Sequence, residues 1–122
     1  MRELLLIETV TSPCGWIKST LSDYGCNVTR VLHVKQAERA LRQAHFDLIL
    51  LAGEGVLPCL TDVKRLRVAT DLPVIVVLPQ TCAIDETSLL VAGVNKLINI
   101  SIPRHALWEE TKTVYDTVRS FS

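Results

Sequence analysis

What this chain lacks narrows it first. No apolar run in it approaches the ~18 residues that a membrane helix needs. The apolar stretch near its start, inside "MRELLLIET", is too short for the core of a signal peptide. Both absences place the chain in the cytoplasm, off the membrane. It also has no excess of either charge, since 13 basic residues balance 13 acidic ones. A nucleic-acid binder carries surplus Lys and Arg to meet phosphates, so direct DNA or RNA binding is not expected. Cys14, Cys26, Cys59 and Cys82 form no CxxC and no zinc-finger spacing. In a cytosolic chain such thiols stay reduced. There is no internal repeat, no linker and no low-complexity tract.

What is present is an ordinary globular composition, with 48% hydrophobic and 21% charged residues in 122. That length suits one domain with one core over residues 1–122. The sequence stops soon after its last periodic segment, which fits either a stand-alone chain or a piece of a longer one.

Five short apolar runs recur: Leu4 to Ile7, Val28 to Leu32, Leu48 to Leu51, Val74 to Leu78 and Leu97 to Ile100. The third and fourth are almost continuous Leu, Ile and Val, the pattern of strands covered on both faces. The intervening segments carry helical spacing. Ser12 and Pro13 start a first helix, on which Trp16, Ile17, Thr20, Leu21 and Tyr24 share a face before Gly25 stops it. A second helix over about Val34 to Ala44 buries Val34, Ala37, Ala40, Leu41 and Ala44, with Glu38 and Arg42 attracting on its outer face. A short third helix spans about Leu60 to Val68, with Val63 and Leu66 inward. The fourth runs from about Asp85 to Ala92 and ends at Gly93; the last runs from about Pro103 to Phe121, with Leu107, Val114, Val118 and Phe121 inward. Strands alternating with helices imply an α/β fold, a flavodoxin-like (βα)₅ three-layer sandwich around a parallel five-stranded sheet in the order 2-1-3-4-5. Ligands of such folds bind beyond the carboxyl ends of the strands.

The strand ends at that rim are chemically poor. They bring Glu8 and Thr9, Ala52 and Gly53, Leu78 and Pro79, then Ile100 and Ser101, so that one of eight residues is ionisable. At this point a resemblance enters. "RVLHVKQAERALRQAHFDLILLA" resembles the second strand, second helix and third strand of response-regulator receiver domains without a gap. "DLPVIVVL" resembles their fourth strand, and "LLVAGVNKLINI" their fourth helix, turn and fifth strand. The resemblance implies a phosphate-accepting Asp, an acidic pair holding Mg²⁺, a hydroxyl residue and a Lys. Ala52 stands in the place of the Asp, Glu8 and Thr9 in that of the acidic pair, Leu78 in that of the hydroxyl residue and Ile100 in that of the Lys. Ser101 replaces the proline after the Lys.

These departures agree with one another. An acyl phosphate needs a carboxylate nucleophile, and Ala52 has a methyl. Mg²⁺ takes hard oxygen ligands, usually one or two carboxylates, and a phosphoryl group needs nearby positive charge. Glu54 on the rim loop offers a weak metal pairing with Glu8, though two solvated acids are the preferred reading. Asp47 lies at the far end of its strand, about 15 Å away at ~3.3 Å per residue, and marks the strand start. Gly53 to Gly55 lacks the spacing and Lys of a phosphate loop and reads as a tight turn.

Cys14, Cys59 and Cys82 each follow a strand end, with His33 near them, which opens an alternative as a thiol sensor or soft-metal site. Cys26 falls at the opposite end and reads as a packed residue. His45 and His105 read as solvated, and Trp16 as core. Trp108 and Tyr115, seven apart on the last helix and so about 20° from eclipsed, read as core edge, with an exposed partner-binding pair as the alternative. The reading that results is a receiver-like regulatory domain that is not phosphorylated. It carries no cofactor, is not an enzyme, and acts through a protein partner (a kinase, an output domain or a transcription factor) or as a homodimer. The contact face that the resemblance implies is formed by helix four, strand five and helix five. A ligand or redox sensor, and a phosphoacceptor with relocated chemistry, are the rivals.

Overall fold

In a computed structural model the structure describes residues 2–8, 16–53, 56–78, 83–99 and 101–120. Strands and helices alternate: β1 (Arg2–Glu8), α1 (Trp16–Asp23), β2 (Cys26–Val31), α2 (Val34–Gln43), β3 (Leu48–Ala52), α3 (Val56–Ala69), β4 (Val74–Leu78), α4 (Ala83–Val91), β5 (Lys96–Asn99) and α5 (Arg104–Ser120). The five strands are parallel and lie in the order β2-β1-β3-β4-β5, as the alternation predicts.

Side-chain alternation splits the interior in two. Leu4, Leu6, Leu50, Ala52, Ile75 and Val77 pack with Ile17, Leu21, Leu107 and Val114 from α1 and α5. Leu5, Ile7, Ile49, Leu51, Val76 and Leu78 pack with Val34, Ala37, Cys59, Val63, Leu66 and Leu89 from α2, α3 and α4. Every residue of β3 and β4 is buried, which accounts for their unbroken apolar sequences. Asp47 sits where β3 begins, its carboxylate accepting from the Glu3 backbone N–H at 2.9 Å.

Gly25 and Gly93 end α1 and α4 at φ of 86° and 111°, conformations that cost a side-chain-bearing residue far more than glycine. At Gly93 the bonds are those of a Schellman turn, Gly93 N–H to Leu90 O at 3.1 Å and Val94 N–H to Leu89 O at 3.2 Å. Arg67 crosses that turn: a Cβ on Gly93 would lie 3.1 Å from its side chain. Its guanidinium continues to the Leu72 carbonyl at 2.7 Å and the Thr70 carbonyl at 3.5 Å.

Several boundaries differ from the sequence reading. The third helix is not short; it starts at Val56 and holds 14 residues. Pro58 occupies its first turn, where the missing N–H has no helical partner to lose. Ala44 is exposed and caps α2 rather than filling its inner face. Glu38 pairs with Arg65 of α3 rather than with Arg42. The proposed start of α1 at Ser12 and Pro13, and the inward roles of Val118 and Phe121, lie outside the described residues and side chains.

Candidate functional site

The carboxyl ends of β1, β3 and β4 define the site. Glu8 is register partner to Ala52, Ala52 to Val77, and Leu78 to Asn99. Glu8 and Ala52 therefore stand side by side and turn toward the α1 and α5 half of the core, where Ala52 is buried. Leu78 is fully buried but turns the other way, among the side chains of α2, α3 and α4. The methyl of Ala52 faces the acid of β1, and the hydroxyl position is filled by core.

Glu8 is 2% exposed, one of three buried polar or charged residues among those described. An isolated carboxylate at that depth is expensive, and its counter-ion is Arg30. The Nε–H of Arg30 donates to Glu8 Oε1 at 2.6 Å, the Glu8 side chain being 1% exposed and that of Arg30 42%. Leu6 is the register partner of Arg30, so Arg30 projects from the same face of the sheet as Leu6 and Glu8, one diagonal step away. The sequence reading missed Arg30. Its signal was the alternation Cys26, Val28, Arg30, which puts a cation on an otherwise inward-facing row.

The receiver resemblance implies a Mg²⁺ site here, and the donor set does not fit it. Glu8 supplies a carboxylate already bonded to a guanidinium, and the side chain of Ala52 supplies no donor. A fixed cation beside the acid opposes a second one. The Glu8–Glu54 metal pairing cannot be placed, because Glu54, like Thr9 and Ile100, lies outside the described residues. Asn99, the last residue of β5, accepts from the Ser101 backbone at 2.9 Å and from its hydroxyl at 2.8 Å, tying down the residue that stands where the resemblance implies a proline.

The thiol expectation needs a correction. Cys59 does not line a rim loop; it lies in α3, is 1% exposed and packs in the core. Burial, with a smaller push from Asp62, raises its thiol to about 12, so it is a poor thiolate. Cys14 and Cys82 lie outside the described residues. Cys26 is buried, as expected, and burial raises its thiol despite the opposing charge of Arg2. His33 is the N-cap of α2, with Nδ1 accepting from the Lys35 backbone N–H at 3.3 Å. His105 is exposed, and His45 approaches Asp47 at 3.4 Å with most of its side chain in solvent.

Trp108 and Tyr115 pack half-buried against the core. The Trp108 ring stacks on Tyr24 of the α1 turn at 5.4 Å and 11°, and the Arg2 guanidinium lies 5.0 Å from Trp108 and 4.9 Å from Tyr115. The pair thus binds α5 to α1 and to the start of β1, the end of the sheet away from Glu8. That is the core-edge placement.

No family model and no curated protein sequence matches the chain. Solved structures do. A CheY-like response regulator receiver domain protein from Methanospirillum hungatei JF-1 is similar at TM-score 0.85 and 15% identity, covering 100% of this chain and 99% of that one. The chemotaxis protein CheY4 of Vibrio cholerae is similar at 0.82 and 19%, covering 93% and 98%. A response regulator from Thermotoga maritima is similar at 0.82 and 19%, covering 95% and 98%. With its strand order and five flanking helices, the chain therefore has the fold of response-regulator receiver domains.

Proposed function

We propose that this chain is a receiver-like regulatory domain in a two-component or related signalling pathway, one that acts by protein contact and does not accept a phosphoryl group. The observation that carries this reading is the Arg30–Glu8 ion pair beside Ala52. Phosphoryl transfer to a receiver needs a nucleophile, a metal to bridge oxygens and a hydroxyl that senses the product. At this site the nucleophile position is a methyl, the acid is neutralised from within, and the hydroxyl position is a buried Leu. The losses fall on separate strands and point the same way, so a single substitution would not restore the chemistry. The domain's output then lies in its surface, offered to a kinase, an output domain, a transcription factor or a second copy of itself.

The test is to incubate the protein with a small phosphodonor and Mg²⁺ and to weigh it intact. Unchanged mass is expected. A gain of one phosphoryl group would overturn the reading in favour of relocated chemistry.

A further inference from the structure

Among the described residues five large apolar side chains are exposed, and three of them lie on α3 and α4: Val68 at 91%, Leu90 at 50% and Val91 at 83%. A groove of about 500 Å³ runs between the two helices, lined by Leu60, Lys64, Thr87, Ser88, Val91 and Ala92. On α3, Leu60 and Lys64 line this groove, and Val68 continues their i,i+4 row one turn further, in solvent. On α4, Thr87 and Val91 form one line, with Glu86 and Leu90 on the next, turned away from α3. Across the face the order is a cation, an apolar strip and an anion.

The charges on this face differ from those beside it. Lys96 of β5 is closed onto Glu110 of α5 at 2.9 Å, and Arg65 of α3 onto Glu38 of α2. Lys64 and Glu86 make no ion pair among the described residues. A surface with an apolar centre, flanked among the described residues by an unpaired cation on one side and an unpaired anion on the other, is complementary to itself. A two-fold axis running roughly along α4 brings Val91 against its own copy and sets Lys64 of each chain opposite Glu86 of the other, the arrangement of an isologous contact.

We propose that the α3–α4 face binds the same face of a second copy of this chain, with Val91 at the centre and Lys64–Glu86 pairs on both sides. This rests on the contact-module part of the proposed function and is independent of whether the pocket accepts phosphate. α3 and α4 are about 21 and 13 Å long at 1.5 Å per residue. The interface is then at the low end for specific contacts, under about 1,200 Å², and the dimer is concentration-dependent.

Sedimentation velocity of the full chain from about 10 µM to about 1 mM spans the range expected for such an interface. The wild type should move from monomer toward dimer. Val91→Glu and, independently, Val68→Glu should weaken association at least tenfold while leaving the circular-dichroism melt unchanged, since both side chains are in solvent in the monomer. Lys64→Glu and Glu86→Lys should each weaken it, and the double charge swap should recover it to within a few-fold of wild type. A chain that stays monomeric throughout would overturn the dimer and leave a different protein partner as the occupant. A dimer indifferent to both valine variants, or a charge swap that recovers nothing, would overturn this face. Phosphoryl uptake would leave the dimer untouched and overturn only the silent pocket.

Discussion

Arg30 of β2 and Glu8 of β1 form a 2.6 Å ion pair whose acid is buried and whose base is nearly half exposed. The charge that a receiver site would offer to a metal is thus satisfied by a side chain of the same sheet. Removing the base should expose the dependence. Arg30→Ala leaves the Glu8 carboxylate buried without its counter-ion and should destabilise the fold by about 2 kcal/mol, the scale of a hydrogen bond to a charged group. Adding Glu8→Gln to that variant should recover much of the loss. Urea unfolding measures both, and an Arg30→Ala midpoint equal to wild type would show that the pair contributes nothing.

Ala52→Asp places a second carboxylate next to Glu8, on a neighbouring strand about 4.8 Å away. Two acids would share one guanidinium, and the variant should lose about 2 kcal/mol or more near neutral pH. It should still gain no mass from a small phosphodonor with Mg²⁺. Phosphorylated Ala52→Asp protein would mean that a single methyl had silenced the site.

Leu78→Thr tests the hydroxyl position. Leu78 is fully buried, so the change removes apolar contact and buries a hydroxyl, a loss of about 2–4 kcal/mol. A thermal melt reads it directly. An unchanged melting temperature would show that the packing of this side chain contributes nothing to stability.

Cys59 should react slowly in the folded protein. With its thiol raised to about 12, roughly one molecule in 10⁴ is thiolate near pH 8. Alkylation of the Cys59 peptide, followed by mass spectrometry, should be about a thousandfold slower folded than in urea. The stability tied to this thiol is fully present near neutrality. It is lost as pH climbs from the ordinary thiol range toward 12. Rapid labelling of the folded chain at this position would revive the redox reading.

Asp62 titrates in the opposite part of the scale. Burial pushes its carboxyl above the ordinary 3.8, against the opposing pull of His33 and Arg65. The folded state then holds this proton more tightly than the unfolded chain. Its contribution is complete below the ordinary value and is lost as pH rises through the raised one. Asp62→Asn should raise the melting temperature near neutral pH by a few degrees, and the gap should close on acidification. A gap constant with pH would remove Asp62 as its source.

The fold was legible because its signals are local. Unbroken apolar runs mark β3 and β4, and Gly25 and Gly93 stop helices where the chain needs a positive φ. At the strand ends the residue types of Ala52 and Leu78 could be read directly, while Thr9, Pro79 and Ile100 lie outside the described residues. Arg30 was not legible, because its partner is fixed by register between β1 and β2, which single-strand patterns do not specify. Cys59 was misplaced because the third helix begins at Val56, ahead of the Leu60 start that its apolar spacing suggests.

The crossing of Arg67 over Gly93 has a mechanical meaning. One guanidinium arm acts as a spacer, and the bare α-carbon beneath it is the seat in which that spacer rests. A methyl added at position 93 would crowd that arm by a few tenths of an ångström and sit on a backbone turn that side-chain-bearing residues rarely adopt.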